Sequence, residues 1–448
     1  MRVIVVGGGI TGLVAAHELA RAGVEVELLE REDRLGGKIR TERLAGTAID
    51  VGADAFLGRQ PEARHLAARL GFTAALRAPL TGRVWLGVEG GPRRLPANTV
   101  FGVPTDPVSL ARSNVLSPSG LWEAIREPFR PRSEPLSGDT SVAELVGERF
   151  GTEVVDRLVE PLLGGVYAGR ADELSVRATI PPLAAAAEQP GSLRRGLREH
   201  RSAPSDDPVF LTLDGGLGQL VDRLRDGVPR ILPGVEARSV VATADGWSVV
   251  ADDGEREADA VVLATPAWAT ASILEDLSPM AARELGQIRY ASVAVVSLAV
   301  PRAAMRRVPS GSGLLVPRSR GTLVKAVTWS SWKWPHVARA ADPFLLRASV
   351  GRVGEPPPKV SDEDLVGRVV RELSQLAGVS GSPLASRVTR WDDSLPQYEV
   401  GHRARVDRIR VALRRDAPGV HVTGAAYDGV GIAHCVRQGQ EVAALLSR

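Results

Sequence analysis

The first forty residues, MRVIVVGGGITGLVAAHELARAGVEVELLEREDRLGGKIR, constrain the fold more than any other stretch. Val3 to Val6 is a short apolar run with the look of a buried strand. It ends in Gly7-Gly8-Gly9-Ile10-Thr11-Gly12, and a helical pattern follows with Leu13, Ala16, Leu19 and Ala20 near one face. Gly23 breaks that helix. Val24 to Leu29 then alternates like a second strand and ends at Glu30. Strand, glycine turn, helix and second strand make a βαβ unit with the spacing of a dinucleotide site. Gly7 permits the tight turn, Gly9 the approach of a pyrophosphate, and Gly12 close packing of helix on strand. The helix start offers free N–H groups and a partial positive charge to phosphates. Glu30, at the end of the second strand, is placed to accept from ribose hydroxyls.

A second glycine pair follows at once, in Arg34-Leu35-Gly36-Gly37-Lys38-Ile39-Arg40-Thr41. It is similar to the motif that follows the nucleotide unit in flavoproteins of the amine oxidase and phytoene desaturase type, where Arg is usual at the Lys38 position. The resemblance favours FAD over a nicotinamide.

A chain of 448 residues can bury a large core divided among two or three domains. A net charge of +3 is not a nucleic-acid-binding balance. The single cysteine, Cys435, excludes an internal disulfide framework and fits a reducing cytoplasm. The seven histidines are scattered, with no metal-ligand spacing, so no metal site is expected. Lysine occurs only at Lys38, Lys325, Lys333 and Lys359; arginine supplies the other positive charge, a bias that a GC-rich genome produces. No secretory leader is expected ahead of the first strand, and no apolar run reaches the roughly 18 residues that span a bilayer.

Further along, Thr47 to Gly52 reads as a strand leading into Gly52-Ala53-Asp54-Ala55, where small residues suit either a flat ring system or an ordinary turn. Arg59 is an anchor for an acidic substrate or a solvated surface residue. Residues 83–88 and 92–95 read as a hairpin around Glu89-Gly90-Gly91. From Pro96 to about Pro204 short helical stretches are punctuated by Pro and Ser, with Ser141 and Glu144 spaced for a capping box. Pro204 to Pro208 reads as a polar, flexible stretch. Glu160 to Gly169 suits packing on a flat ligand or a helix end in the core. Residues 290–300, 313–317, 322–329 and 344–350 read as strands of a second sheet. Trp329, Trp332 and Trp334 lie among them, as pocket wall or structural tryptophans. Near the C-terminus a strand runs into Gly424 to Gly431 and a helix, a second strand–glycine–helix element.

EPLLGGVYAG at 160–169, LATP at 263–266, SWKWPH at 331–336, RWDDSLPQYEVGH at 390–402 and GAAYDGVGIAHCVRQG at 424–439 occur in this order. Together with the opening glycines they resemble the FAD-dependent porphyrinogen oxidases over essentially the whole chain. The resemblance is strongest to the Gram-positive branch, which oxidises coproporphyrinogen III; other branches oxidise protoporphyrinogen IX. It implies an α/β fold: a discontinuous Rossmann-like FAD-binding domain of p-hydroxybenzoate-hydroxylase type (1–82, 205–266 and 390–448), an α+β substrate domain (83–95 and 267–389) and a helical insertion (96–204) that touches membranes in some members. By residue match FAD is held by Gly7, Gly8, Gly9, Ile10, Thr11, Gly12, Glu30, Arg31, Lys38, Gly52, Ala53, Asp54, Ala55, Val235, Trp391, Val430, Gly431 and Ile432, with the Val235 backbone at the adenine. Arg59, Gly169 and Leu315 are the expected substrate contacts, and no side-chain acid–base constellation stands out. The implied reaction takes coproporphyrinogen III and dioxygen to coproporphyrin III and hydrogen peroxide in haem biosynthesis. The implied setting is cytoplasmic, at most peripheral to the inner face of the membrane, as monomer or homodimer, with other haem-pathway enzymes as partners. The alternatives are a protoporphyrinogen IX oxidase, an amine oxidase using the Trp cluster as an aromatic cage, and a non-catalytic flavin-binding scaffold.

Overall fold

A computed structural model describes the chain except for residues 131–134, 200–206 and 340–341. The boundary expected at 204/205, and most of the stretch read as flexible there, lie outside the described residues. Two sheets face each other across one cavity. The first has five parallel strands in the order Arg230–Pro233, Glu25–Glu30, Arg2–Val6, Ala260–Leu263 and Val420–Val422. Its central strands are buried on both sides, which is why they read as unbroken apolar runs rather than alternating ones. The helices Ile10–Arg21 and Ile432–Leu446 cover one face, crossing so closely that a Cβ on Gly439 would lie 2.6 Å from the Thr11 carbonyl oxygen. A three-stranded antiparallel sheet (Ala237–Ala242, Trp247–Ala251, Gly254–Ala258) and the helices Ala267–Ile273, Pro279–Gly286 and His402–Asp416 cover the other.

The second sheet has seven strands, in the order Ala385–Pro396, Tyr290–Val300, Phe344–Val350, Val324–Thr328, Gly313–Leu315, Val84–Val88 and Gly91–Arg94. All its pairings are antiparallel except Val84–Val88 with Gly313–Leu315. The expected hairpin is thus the sheet's edge. One face packs on the helix Asp362–Ala377, whose Leu365, Val369, Leu373 and Leu376 fall on one stripe. Ser361 caps that helix by accepting from the Asp364 N–H at 3.1 Å. The other face lines the cavity.

Short helices between Pro107 and Glu199 form a cluster with its own apolar core, into which Tyr398 inserts from the distant C-terminal part of the chain. Ser141 accepts from the Glu144 N–H at 3.1 Å as the capping box requires, but the Glu144 carboxylate takes the Thr140 hydroxyl instead of the Ser141 N–H. Among the described residues no helix is long and apolar enough to cross a membrane.

Candidate active site

The cavity between the sheets measures about 940 Å³. Its first wall is built from strand ends. Gly7 has a φ of 106°, and a Cβ there would lie 2.9 Å from the Ala264 carbonyl oxygen. A Cβ on Gly12 would lie 1.9 Å from the Gly7 carbonyl oxygen, and one on Gly8 would meet Leu35 at 2.5 Å. Backbone atoms of the protein itself require glycine at Gly7 and Gly12, whereas at Gly8 the near neighbour is the end of a side chain. Gly9 differs: a Cβ there meets nothing within 4 Å, and the residue lines the cavity. The Glu30 carboxylate accepts from the Gly8 N–H at 2.7 Å and from the Glu32 N–H at 2.9 Å, which ties the glycine turn to the second strand. Each oxygen keeps lone-pair capacity for a further donor. The Val235 N–H is already taken by the Glu30 carbonyl at 2.9 Å, so an adenine would meet the rest of that residue.

Both long helices on this side start at the cavity. Ile10–Arg21 has no side-chain cap and no acid in its first turn, and the same is true of Ile432–Leu446. Ile10 and Thr11 of the first, and Gly431 and Ile432 of the second, line the cavity. Two uncapped N-termini turned to one space suit a ligand that carries phosphates at one end and a polar ring at the other. The residues present therefore fit FAD.

The strip from Asp50 to Ala55 lies along the cavity and is gripped from outside. The Trp391 indole N–H donates to the Val51 carbonyl at 3.0 Å. Arg347 donates to the Asp50 carbonyl and, at 3.1 Å, to the Gly52 carbonyl. Lys333 Nζ and the Trp334 indole N–H reach the Asp54 carboxylate at 3.0 and 3.1 Å. A Cβ on Gly52 would lie 2.1 Å from the Lys38 carbonyl oxygen and 3.0 Å from the Trp391 ring, so only glycine fits between them. Burial pushes Asp54 up, but Lys333 and Arg347 outweigh it and hold the carboxyl well below the usual range. Burial pushes Asp50 up to about 6 despite the Thr41 hydroxyl and Arg347. Burial also lowers Lys38, which lines the cavity.

The loop from Gly424 to Gly431 is held by two residues of the 390–402 motif that were not among the expected site residues. The Tyr398 hydroxyl donates to the Ala425 carbonyl and accepts from the Gly429 N–H, both at 2.8 Å. His402 stacks on the Tyr398 ring with centroids 4.0 Å apart, and its Nε2 lies 3.1 Å from the Tyr427 carbonyl oxygen, a contact that requires the Nε2–H tautomer. Burial lowers His402 to about 4, so the ring is neutral at pH 7.

The opposite wall is the large sheet. Val293, Val295, Ala326, Thr328, Arg347 and Ser349 present one face to the cavity, and Gly165 and Val166 close it from the helix Glu160–Tyr167. Lys325, 4% exposed, also lines it. Burial first, then the nearby Arg352, brings Lys325 down to about 7. Lys325 was not among the expected site residues.

Of those residues, Gly7, Gly9, Ile10, Thr11, Glu30, Arg31, Lys38, Gly52, Ala53, Asp54, Ala55, Val235, Trp391, Val430, Gly431 and Ile432 all line the one cavity. Gly8 and Gly12 sit behind that wall as packing glycines. The expected substrate contacts do not line it. Arg59 is exposed on the turn after the strand Phe56–Leu57, because Gly58 is buried against Pro208 and Leu211 and turns its neighbour outward. Gly169 packs on Gln397 and Leu174, and Leu315 lies behind Gly165. The Trp cluster is no aromatic cage: Trp329 is fully buried with Trp332 edge-on against it, Trp334 is buried behind Asp54, and none lines the cavity. Among the described residues no group of three His, Cys, Asp or Glu side chains is placed to hold a metal ion.

Comparison with known proteins agrees with this geometry. The family model for flavin-containing amine oxidoreductases matches residues 10–447. The chain is 34% identical to the coproporphyrinogen III oxidase of Bacillus subtilis over 98% of this chain and 96% of that one. It is 38% identical to the coproporphyrinogen III oxidase of Mycobacterium bovis over 96% and 94%. A crystal structure described as a candidate protoporphyrinogen oxidase, from Exiguobacterium sp. 255-15, superposes with a TM-score of 0.89 at 32% identity, covering 100% of this chain and 98% of that one.

Proposed function

Because the chain belongs to the flavin-containing amine oxidoreductase family, and within it to the group of the bacterial coproporphyrinogen III oxidases, we propose that it oxidises coproporphyrinogen III to coproporphyrin III. Its cofactor is FAD, which when bound supplies the two-electron acceptor. Three two-electron rounds remove six hydrogens from the macrocycle, and each round consumes one dioxygen and releases one hydrogen peroxide. The observation that carries this reading is full-length identity to enzymes of that name, 38% in the better of the two relatives described.

The chain's own residues bind, orient and exclude water. The N-terminus of Ile10–Arg21 and Glu30 hold the nucleotide half, and the N-terminus of Ile432–Leu446 meets the ring. Trp391, Arg347 and the Lys333–Asp54 pair fix the strip beneath the ring, and Tyr398 with His402 fixes the loop at its far side. The apolar face of Val293, Val295 and Ala326 offers a flat macrocycle a dry wall, on which the Lys325 amine and the Arg347 guanidinium are the basic groups. These assignments, and the division into a discontinuous FAD-binding domain, a substrate domain and a helical insertion, are part of the proposal. So are a cytoplasmic setting, contact with haem-pathway enzymes or the inner membrane face, and a monomeric or homodimeric state.

The second reading is protoporphyrinogen IX oxidase, the activity in the description of the Exiguobacterium structure. The Trp cluster that an amine oxidase reading would use as its cage does not line the cavity. Anaerobic mixing of the purified yellow protein with coproporphyrinogen III, protoporphyrinogen IX or a polyamine tests all three. Coproporphyrinogen III is expected to bleach the flavin fastest. Faster bleaching by protoporphyrinogen IX reverses the order of the two readings, and no bleaching by either porphyrinogen removes both and leaves a non-catalytic flavoprotein.

A further inference from the structure

Lys325 reaches the cavity through an irregularity in its strand. Val324 pairs with Val350, but the next register pair is Ala326 with Ser349, so Lys325 is the extra residue of a β-bulge. Ala326 and Thr328 face the cavity, while Val324 and Val327 belong to the core under the helix Asp362–Ala377. In a regular strand Lys325 would share the core side with Val327. The bulge turns it to the cavity instead. The Glu372 carboxylate holds this stretch of strand by accepting from the Leu323 and Val324 N–H groups at 2.9 and 2.8 Å.

Among the described residues the Lys325 amine has no carboxylate partner. The ionisable groups on the elements around it are occupied elsewhere or do not balance its charge. Arg347 donates to the Asp50 and Gly52 carbonyls, and Glu160 accepts from the Ala171 N–H at 2.7 Å. Glu372 serves the strand backbone, Arg318 pairs with Glu355, and burial keeps the Tyr167 phenol protonated, raised to about 12. Arg352, the one charged group that acts on the amine, opposes its protonation.

Composition adds an independent observation. Only four of the chain's 56 basic residues are lysine. Lys38 and Lys325 line the cavity, and Lys333 binds its wall residue Asp54. Arginine keeps its proton at any physiological pH, whereas a buried lysine can give it up.

We propose that Lys325 is the base that takes the pyrrole N–H proton during porphyrinogen oxidation, an inference that rests on the function proposed above. A meso C–H bond breaks and its electron pair leaves with the hydrogen as hydride to the bound flavin. The neighbouring pyrrole N–H becomes strongly acidic. That N–H bond breaks, its electron pair completes a C=N double bond, and the proton moves to the lone pair on Lys325 Nζ. The hydride and this proton together account for the two hydrogens that dioxygen carries away as hydrogen peroxide. With the amine near neutrality at pH 7, burial has already prepared it to accept.

The test uses the holoenzyme, Lys325→Met and Lys325→Arg. Retained flavin absorbance identifies the folded variants, and Lys325→Gln replaces the Met variant if that one loses FAD. Three readouts are followed: anaerobic flavin bleaching by coproporphyrinogen III from pH 5.5 to 9, coproporphyrin III affinity by fluorescence quenching, and acetylation of Lys325 at pH 7 by peptide mapping. Wild-type bleaching is expected to slow about tenfold per unit below pH 7, and Lys325 to acetylate ahead of Lys359 unless coproporphyrin III protects it. The variants should bleach at least about 100-fold more slowly, the loss typical of a removed acid–base group, without that inflection and with product affinity within a few-fold of wild type. Added ethylamine should restore part of the rate to the Met variant but none to the Arg variant. Variants that keep the rate and inflection overturn the proposal alone. So do variants that keep the maximal rate but lose product affinity, which makes Lys325 a carboxylate anchor. A wild-type protein that no porphyrinogen bleaches removes the functional reading and this proposal with it.

Discussion

Gly9→Ala separates what the nucleotide turn does for the fold from what it does for the ligand. Gly9 has φ −68° and ψ 172°, a conformation open to any residue, and a Cβ on it touches no protein atom within 4 Å. The substitution therefore adds no strain to the apoprotein. It removes chain freedom from the unfolded state, so apoprotein stability should hold or rise by about 0.4–1 kcal/mol. With FAD the outcome reverses, because the new methyl group enters the space reserved for the pyrophosphate. Overfilling a packed contact costs about 1–3 kcal/mol, which is about 5- to 160-fold in affinity. Gly12→Ala supplies the contrast. Its Cβ would lie 1.9 Å from the Gly7 carbonyl oxygen, so helix and strand must separate and the apoprotein itself should lose stability. Thermal melts of FAD-stripped protein and titration of FAD by fluorescence quenching measure the two effects. FAD bound by Gly9→Ala as tightly as by wild type would refute the cradle at this position. An apoprotein melting loss equal to that of Gly12→Ala would refute the open-space geometry.

Three other outcomes follow from the same site. Asp50 is raised from 3.8 to about 6, so the folded state binds the extra proton between those values; its favourable contribution is complete below about pH 3.8 and is lost as pH rises through 6. Asp50→Asn should thus flatten the stability profile between pH 4 and 7 and relieve a cost on the order of 3 kcal/mol at pH 7, read from melts across that range. Lys333→Met leaves Asp54 buried without its nearest cation, at about 3 kcal/mol for a broken buried pair; FAD retention through gel filtration should fall, and an unchanged flavin content would contradict the clamp. Tyr398→Phe strips the Ala425 carbonyl and the Gly429 N–H of their shared partner, at about 1–3 kcal/mol; a shifted flavin absorption band with unchanged far-UV circular dichroism is expected.

The nucleotide half of the site was legible because its determinants are local. Gly7 to Glu30 form one continuous unit in which turn, helix start and strand end follow each other in sequence. The second strand–glycine–helix element at Gly424 to Leu446 was legible for the same reason. The substrate wall was not, because side-chain direction on a strand depends on register, and one extra residue reverses it. No pattern in VKAVT announces that Lys325 sits at a bulge; only the pairing of Ala326 with Ser349 shows it. Arg59 misled in the opposite way. Its distance in sequence from Gly52 to Ala55 is short, but burial of Gly58 turns it to solvent. Tyr398 and His402 were visible as part of a motif, yet their role depends on a loop that starts more than twenty residues later.

Side-chain contacts to one six-residue strip make the cofactor site and the substrate wall a single mechanical unit. Trp391 belongs to the edge strand of the large sheet and Arg347 to an inner one, while Lys333 ends a short helix beside it and Trp334 links that helix to the next. All four side chains bond to atoms between Asp50 and Asp54, two of them to backbone carbonyls and two to the Asp54 carboxylate, partners that water cannot easily replace at that depth. The same strip is bound from the other side by the Lys38 carbonyl, which accepts the Ala53 N–H at 3.0 Å. A shift of the large sheet therefore pulls directly on the strip, and with it on any ring resting there. The fold thus couples the face that would receive the macrocycle to the face that would hold FAD through short polar contacts, whose geometry tolerates less displacement than apolar packing does.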